Sequence, residues 1–167
     1  TYGPRAYSKL IETIGGQDNA FTSRDVTVYH LTVAAEHLDL VLGLEADRMR
    51  HLLLDPREVD AERKVVLEER RTRTEDDPVG ALAELFNTIA FAAHPYRLPT
   101  IGLVQDVERL TAQDLRSWYD IYYGPNNAIV VVAADFQANE LLGKIRTRFG
   151  AIPGGASPSR VEVVEPE

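Results

Sequence analysis

Residues 15–33 have the sequence GGQDNAFTSRDVTVYHLTV, which predicts the end of a helix followed by a β-hairpin. The leading glycine pair follows a helical stripe over Tyr7–Ile14, and glycine at that place suits a left-handed helix cap. Two short runs, Ala20–Ser23 and Val26–Val33, flank two turn-like residues, and the second run alternates and is rich in β-branched and aromatic residues. A helix and a pair of antiparallel strands are therefore predicted next to each other in the chain.

Beyond the hairpin the pattern is mostly helical. Apolar spacing and capping residues predict helices over 35–53, over 55–73, from 76 to about 89, from 111 onward and over 139–149. Ala128–Ala133 is a run of β-branched and small residues, which predicts a further strand at the centre of the sheet. This mixed order favours an α+β fold, a sandwich with helices packed on one side of a mainly antiparallel sheet.

Composition limits the class of protein. With 167 residues and a mass of 18.6 kDa the chain suits one domain. After residue 153 the composition changes to mainly Gly, Pro, Ser and Glu, which predicts a domain over 1–153 and a linker or tail over 154–167. The absence of cysteine excludes disulfides, thiol nucleophiles and cysteine-bound zinc. A net charge of -8 argues against nucleic-acid binding, and no apolar run approaches the roughly 20 residues of a membrane span.

Two glutamates stand out in the predicted helix over 55–73. Glu62 and Glu69 are two helical turns apart and differ by roughly 20° around the helix axis, and Val65 and Val66 between them favour a partly buried face. One interpretation is a carboxylate metal ligand with a second carboxylate that orders its surroundings. The other is a solvated helix face laced with ion pairs, as charged runs usually are.

The histidines and tyrosines carry weaker signals. No two histidines have the spacing of two ligands on one helix face, and both HExxH and HxxEH are absent, so each histidine is interpreted as a surface or structural residue. The histidines are His30, His37, His51 and His94. A group of aromatic residues around His94-Pro95-Tyr96 and Tyr119–Tyr123 is interpreted as packing.

The segment Asn19–Phe21 has two interpretations. In the first it is an ordinary hairpin strand, in which Asn19 satisfies a turn. In the second it is a sheet edge with small side chains, against which an extended peptide can lie as an added strand.

In this order the segments resemble the insulinase/pitrilysin family of zinc peptidases, the inverzincins, which include the mitochondrial processing peptidases. The resemblance extends from Thr1 to about Pro153 and rests on several stretches in register. The matching stretches are Thr1-Tyr2-Gly3, Gly15–Ser23, Asp25–Tyr29, Glu62–Glu69, His94-Pro95-Tyr96, Gly102 and Tyr122–Ala128.

The resemblance implies a fold, a cofactor and roles for individual residues. The implied fold is the α+β metallohydrolase sandwich, and the implied cofactor is zinc, held by both histidines of HxxEH and by a distal glutamate that falls on Glu69. Glu62, seven residues earlier, would act in catalysis from beside that ligand. Asn19, Ala20 and Phe21 would bind an extended peptide substrate at an edge strand. The family encloses substrate between two homologous halves, so a second domain or subunit is implied as a partner.

The chain departs from the family at one decisive place. HxxEH is missing, and with it two of the three zinc ligands and the catalytic base. We therefore expect these residues alone to hold no zinc and to be inactive. We expect the motif to lie upstream of Thr1, in a complete zinc metalloendopeptidase of which this is the incomplete N-terminal domain. The alternative is a metal-free family subunit that binds peptide and pairs with an active partner. The compartment, bacterial cytoplasm or periplasm, stays open.

Overall fold

The computed structural model describes residues 6–159 and 162–166, and these divide into two compact units. The described part of the first unit comprises residues 6–21, 28–53 and 116–158. That of the second comprises residues 22–27, 54–115, 159 and 162–166.

Helices and one antiparallel hairpin make up the regular structure of the described residues, which confirms the α+β class. The elements of the described residues are α1 Ala6–Thr13, β1 Gln17–Thr22, β2 Thr27–Thr32, α2 Leu38–His51, α3 Pro56–Arg70, α4 Pro78–Ala90, α5 Val104–Arg109, α6 Ala112–Tyr122 and α7 Ala138–Phe149. The predicted helices and the hairpin are all present, with ends that differ from the prediction by a few residues.

Glycine ends helix α1, as the sequence predicts. Gly15 has a φ of 74°, and the N–H groups of Gly15 and Gly16 donate to the carbonyls of Glu12 and Ile11, each at 2.9 Å. This pattern is a Schellman cap, which only a residue tolerant of positive φ allows without strain. A Cβ on Gly16 would also lie 2.7 Å from the Val33 side chain. The cap thus forms a tight turn between α1 and β1.

The hairpin has a two-residue turn that sets its register. The N–H of Ser23 donates to the carbonyl of Val26 at 2.8 Å, so these residues form a hydrogen-bonded pair. Bonded and non-bonded pairs alternate along an antiparallel ladder. Asn19 and Phe21 are therefore in register to bond to β2, whereas the N–H of Ala20 faces the outer edge of β1. Within the described residues that edge has no strand beside it.

The core of the first unit lies between α1 and α2. Ile11, Val41 and Leu44 form its buried cluster, and Ile11 is fully buried. The Tyr7 hydroxyl adds a polar contact, because it donates to the Glu45 carboxylate. Burial and this bond raise the pKa of Tyr7 above its usual range, so the hydroxyl stays protonated as a donor.

Two helices of the second unit, α3 and α4, begin at capping aspartates. Asp55 accepts a hydrogen bond from the N–H of Arg57 at 2.8 Å, which opens α3. Asp77 accepts from the N–H groups of Val79 and Gly80 at 3.2 and 3.1 Å, which opens α4. In both helices the residue after the cap is proline, whose fixed φ suits the first turn. Both predicted helix starts are confirmed.

The strand predicted over Ala128–Ala133 is wrong, because these residues have no regular secondary structure. Ala128 is extended, with φ −128° and ψ 148°, so the local preference is present. A strand also needs a partner that accepts and donates ladder hydrogen bonds. The only sheet in residues 6–159 and 162–166 is the β1–β2 pair, and Ile129 and Val131 are 91% and 85% exposed.

Helix α4 is amphipathic, but it turns its apolar side outward. Its large apolar side chains are 56–74% exposed: Val79, Leu82, Leu85, Phe86 and Ile89. The acidic Glu84 lies on the opposite side, where it meets a buried arginine of α3. None of the helices in the described part of the chain is long and apolar enough to cross a membrane.

Candidate functional site

Helix α3 places Glu62 and Glu69 on one face, as their seven-residue spacing predicts. Glu62 is exposed, and no hydrogen bond or ion pair joins it to the described residues. The Glu69 side chain is 39% exposed and forms an ion pair with Arg73, with 2.7 Å between Oε1 and Nη1. Both carboxylates are therefore open to solvent, and one of them has a cationic partner.

A shallow groove of about 520 Å³ lies along the second half of α3, and it includes Glu69 but not Glu62. It is lined by Lys64, Val65, Glu68, Glu69, Thr72 and Arg73. Val65 is 57% exposed, so the partly buried face predicted from the two valines is wrong at this position, although Val66 is half-buried. Local spacing tells which residues share a helix face, but burial depends on what packs against it.

Arg70 anchors the end of α3, and it lies about 100° around the helix axis from Glu69. Its side chain is only 7% exposed, and its guanidinium donates to both carboxylate oxygens of Glu84 at 2.9 and 2.8 Å and to the Gly102 carbonyl at 2.8 Å. The hydrogen bonds to Glu84 raise the pKa of Arg70. Its Nε is buried without a hydrogen-bond partner in the described residues and lies 3.7 Å from a carboxylate oxygen of Glu75. The residue beside Glu69 is thus fixed in place.

The sequence pattern does not predict this anchor. Arg70 and Glu84 are 14 residues apart and lie on different helices, so no helical periodicity links them. The predicted helix to Arg73 also ends early, because Arg71–Glu75 forms a π-helical stretch that leads towards α4. One feature of the sequence indicates that Glu84 has a special role, because it is the only charged residue of α4.

The segment Asn19–Phe21 lies in β1 and belongs to the first unit, whereas Glu62 and Glu69 belong to the second. The Oδ1 atom of Asn19 accepts a hydrogen bond from the N–H of Ala20 at 2.8 Å. By the hairpin register this N–H faces the outer edge. The Asn19 side chain therefore occupies the donor that an added strand would use.

The histidines do not complete a metal site with Glu69. Within residues 6–159 and 162–166, no three side chains of His, Asp or Glu form a group that could hold a metal ion. The Nδ1 atom of His51 lies 3.0 Å from Asp47, and the ring of His30 lies 6.4 Å from that of Phe21. Glu69 is thus a single carboxylate donor, and one carboxylate does not fit a zinc site, which takes at least three protein ligands.

The loop around Tyr96 makes polar contacts besides the aromatic packing predicted for it. The Tyr96 hydroxyl donates to the Asp25 carboxylate at 2.6 Å, and this bond raises the pKa of Tyr96. The Arg24 guanidinium lies 4.9 Å from the centre of the Tyr96 ring and donates to the Tyr96 carbonyl. The His94 ring packs edge-on against Tyr96 at 4.4 Å. The second unit thus holds this loop by rings and charges together.

Comparison with known proteins gives matches over most of the chain. Residues 1–103 match the family model Insulinase (Peptidase family M16), and residues 109–167 match Peptidase M16 inactive domain. The zinc protease PqqE of Helicobacter pylori is 36% identical, over 87% of this chain and 33% of its own length. An uncharacterised zinc protease of Mycobacterium leprae is 34% identical, over 86% of this chain and 32% of its own length.

Solved structures agree with these matches. The crystal structure of a protease from Helicobacter pylori has a TM-score of 0.90 and 32% identity, and the match covers 98% of this chain and 39% of that one. The first half of the periplasmic protease PqqL from Escherichia coli has a TM-score of 0.77 and 29% identity, with 92% of this chain and 35% of that one covered. The present chain spans about a third of the length of the curated relatives it matches.

Proposed function

The chain belongs to the insulinase family, peptidase family M16, as its motifs predict, and on this premise we propose that it is part of a zinc-dependent metalloendopeptidase that hydrolyses peptide bonds in extended peptides. The observation that carries the proposal is the pair Glu62 and Glu69 on one solvent-open face of α3. Relatives at 36% and 34% identity are named zinc proteases, which supports it. These 167 residues alone would be inactive.

Glu69 would be one zinc ligand of the complete protein. The two histidine ligands and the catalytic base would come from an HxxEH motif outside these residues, since this chain offers a single carboxylate. Glu69 is accessible for that role, because its partner Arg73 is 75% exposed and surface ion pairs contribute only about 0–1 kcal/mol. Glu62, which has no partner among the described residues, would remain free to orient groups around the ligand.

Asn19, Ala20 and Phe21 would bind the main chain of the substrate. A peptide that adds to the outer edge of β1 would accept a hydrogen bond from the N–H of Ala20. Asn19 would first have to release this N–H, which it binds at 2.8 Å. Between substrates the Asn19 side chain would therefore cover a donor that could otherwise pair with another chain.

A second homologous domain or subunit would complete the enclosure around the peptide. One similar structure supports this partner, because it is described as the first half of a protease. In this proposal residues 1–153 are the N-terminal peptidase domain, and residues 154–167 are the linker towards that second half.

The test compares two adjacent glutamates in the complete protein. Glu69→Gln should lose most of the bound zinc, measured by elemental analysis, together with peptide cleavage. Glu68→Gln is the matched control, because Glu68 is also an exposed carboxylate paired with an arginine, Arg71, and it should keep both. Glu62→Gln should keep zinc and lower the rate of cleavage.

Equal zinc content in Glu69→Gln and Glu68→Gln would contradict the ligand assignment. If the unaltered protein also binds no zinc and cleaves no peptide, the alternative holds, and the chain belongs to a metal-free subunit that binds peptide beside an active partner.

A further inference from the structure

Three consecutive backbone N–H groups of the second unit converge on one carboxylate. Ala92 donates to Oε2 of Glu165 at 2.8 Å, Ala93 donates to both oxygens at 3.2 Å, and His94 donates to Oε1. Such a run of main-chain donors forms a nest, a concave site that binds anions without any cationic side chain. The acceptor here comes from the last described segment of the chain, residues 162–166.

The nest is built by contacts that do not involve Glu165. Helix α4 ends where the N–H of Phe91 donates to the Asn87 carbonyl at 3.1 Å, and the next three N–H groups have no acceptor in that helix. Arg97 donates to the Ala92 carbonyl at 3.0 Å, and the Nδ1 atom of His94 accepts from the N–H of Tyr96 at 3.2 Å. These bonds hold the loop in shape, so little ordering is left for the carboxylate to impose.

Among the described residues 162–166, Glu165 supplies the hydrogen bonds to this loop. The bonds from His94, Ala92 and Ala93 stabilise the charged form of Glu165 and lower its pKa. Val164 is 90% exposed, and Glu162 makes no hydrogen bond or ion pair with the described residues. The side chains of Val164 and Glu162 therefore do not bond the segment to the loop as Glu165 does.

We propose that Ala92–His94 is a carboxylate-binding nest whose occupant is Glu165 of the same chain, which docks residues 162–166 on this loop. The segment interpreted from composition as a linker or tail is thereby held at a defined point. This proposal rests on the contacts alone and does not depend on the zinc peptidase assignment, so either can fail without the other. An acidic residue of a separate peptide is the competing occupant.

The test is hydrogen–deuterium exchange at the amides of Ala92, Ala93 and His94 in the full chain. Glu165→Ala removes the acceptor and should speed their exchange about tenfold, because each amide loses its hydrogen bond to a charged group. Glu162→Ala makes the same truncation in the same segment and should leave the exchange unchanged. Exchange in helices α3 and α4 reports that both variants are folded.

Two results would overturn the proposal. If the three amides stay protected in Glu165→Ala, another acceptor occupies the nest, and a separate acidic peptide becomes the candidate. If both variants speed exchange equally, the effect is one of general charge and not of a specific contact.

Discussion

Replacing Arg70 by Met tests the anchor that fixes the end of helix α3. The side chain is 7% exposed and donates to two oxygens of Glu84 and to the Gly102 carbonyl. Met keeps an unbranched apolar stem of similar reach but removes the charge and the donors. The substitution therefore leaves the Glu84 carboxylate, 22% exposed, without its cation.

The expected loss follows from this burial. Breaking a buried ion pair by removing one partner costs about 3–5 kcal/mol. Glu84 keeps some contact with water, so we expect a value near the lower end, about 3 kcal/mol. For a chain of this size that corresponds to a fall in Tm of about 6–12 °C. In the double variant Arg70→Met/Glu84→Leu neither charge is left unpaired, and most of the stability should return.

The assay is urea unfolding followed by far-ultraviolet circular dichroism, with the four proteins of the double-mutant cycle. Arg71→Met is the matched control, because Arg71 is 51% exposed and its ion pairs lie at the surface, so it should cost far less. Equal stability of Arg70→Met and Arg71→Met would contradict a buried anchor at Arg70. So would a double variant as unstable as Arg70→Met alone.

Three further predictions follow. Gly15→Ala places a Cβ at φ 74° and should lower the free energy of unfolding by about 1 kcal/mol, measured by chemical denaturation; an unchanged value would contradict the cap assignment. The hydrogen bonds to Glu165 lower its pKa from 4.5 in the folded chain, so they stabilise the folded chain fully above that value. This stabilisation is lost as the pH falls through the lowered pKa. Amide exchange at Ala92–His94 should show the loss in acid and no loss at neutral pH. Ala20→Pro removes the outer-edge N–H of β1 without removing a hydrogen bond to β2. The complete protein should therefore keep its zinc but bind peptide more weakly, which would raise its KM. An unaltered KM would count against strand addition at this edge.

Local signals in the sequence predicted local structure well. The glycine cap at Gly15 and the aspartate caps at Asp55 and Asp77 depend on residues at most four positions away, and all three are confirmed. The shared face of Glu62 and Glu69 follows in the same way from the helical repeat. These features need no knowledge of the rest of the chain.

Features that depend on distant residues could not be predicted in this way. Ala128–Ala133 has the composition of a strand, but a strand exists only beside another one, and none lies there among the described residues. The apolar stripe of α4 predicts a helix, yet it does not tell that Glu84 would face inward and Phe86 outward. The ion pair of Arg70 with Glu84 and the nest around Glu165 each join residues far apart in sequence, which leave no periodic signal.

Zinc dependence is tested by cleavage of an extended peptide by the complete protein, measured before and after treatment with EDTA. We predict that the chelator abolishes cleavage and that added zinc restores it in the unaltered protein but not in Glu69→Gln. Undiminished cleavage in EDTA would contradict the assignment of the chain to a zinc-dependent metalloendopeptidase.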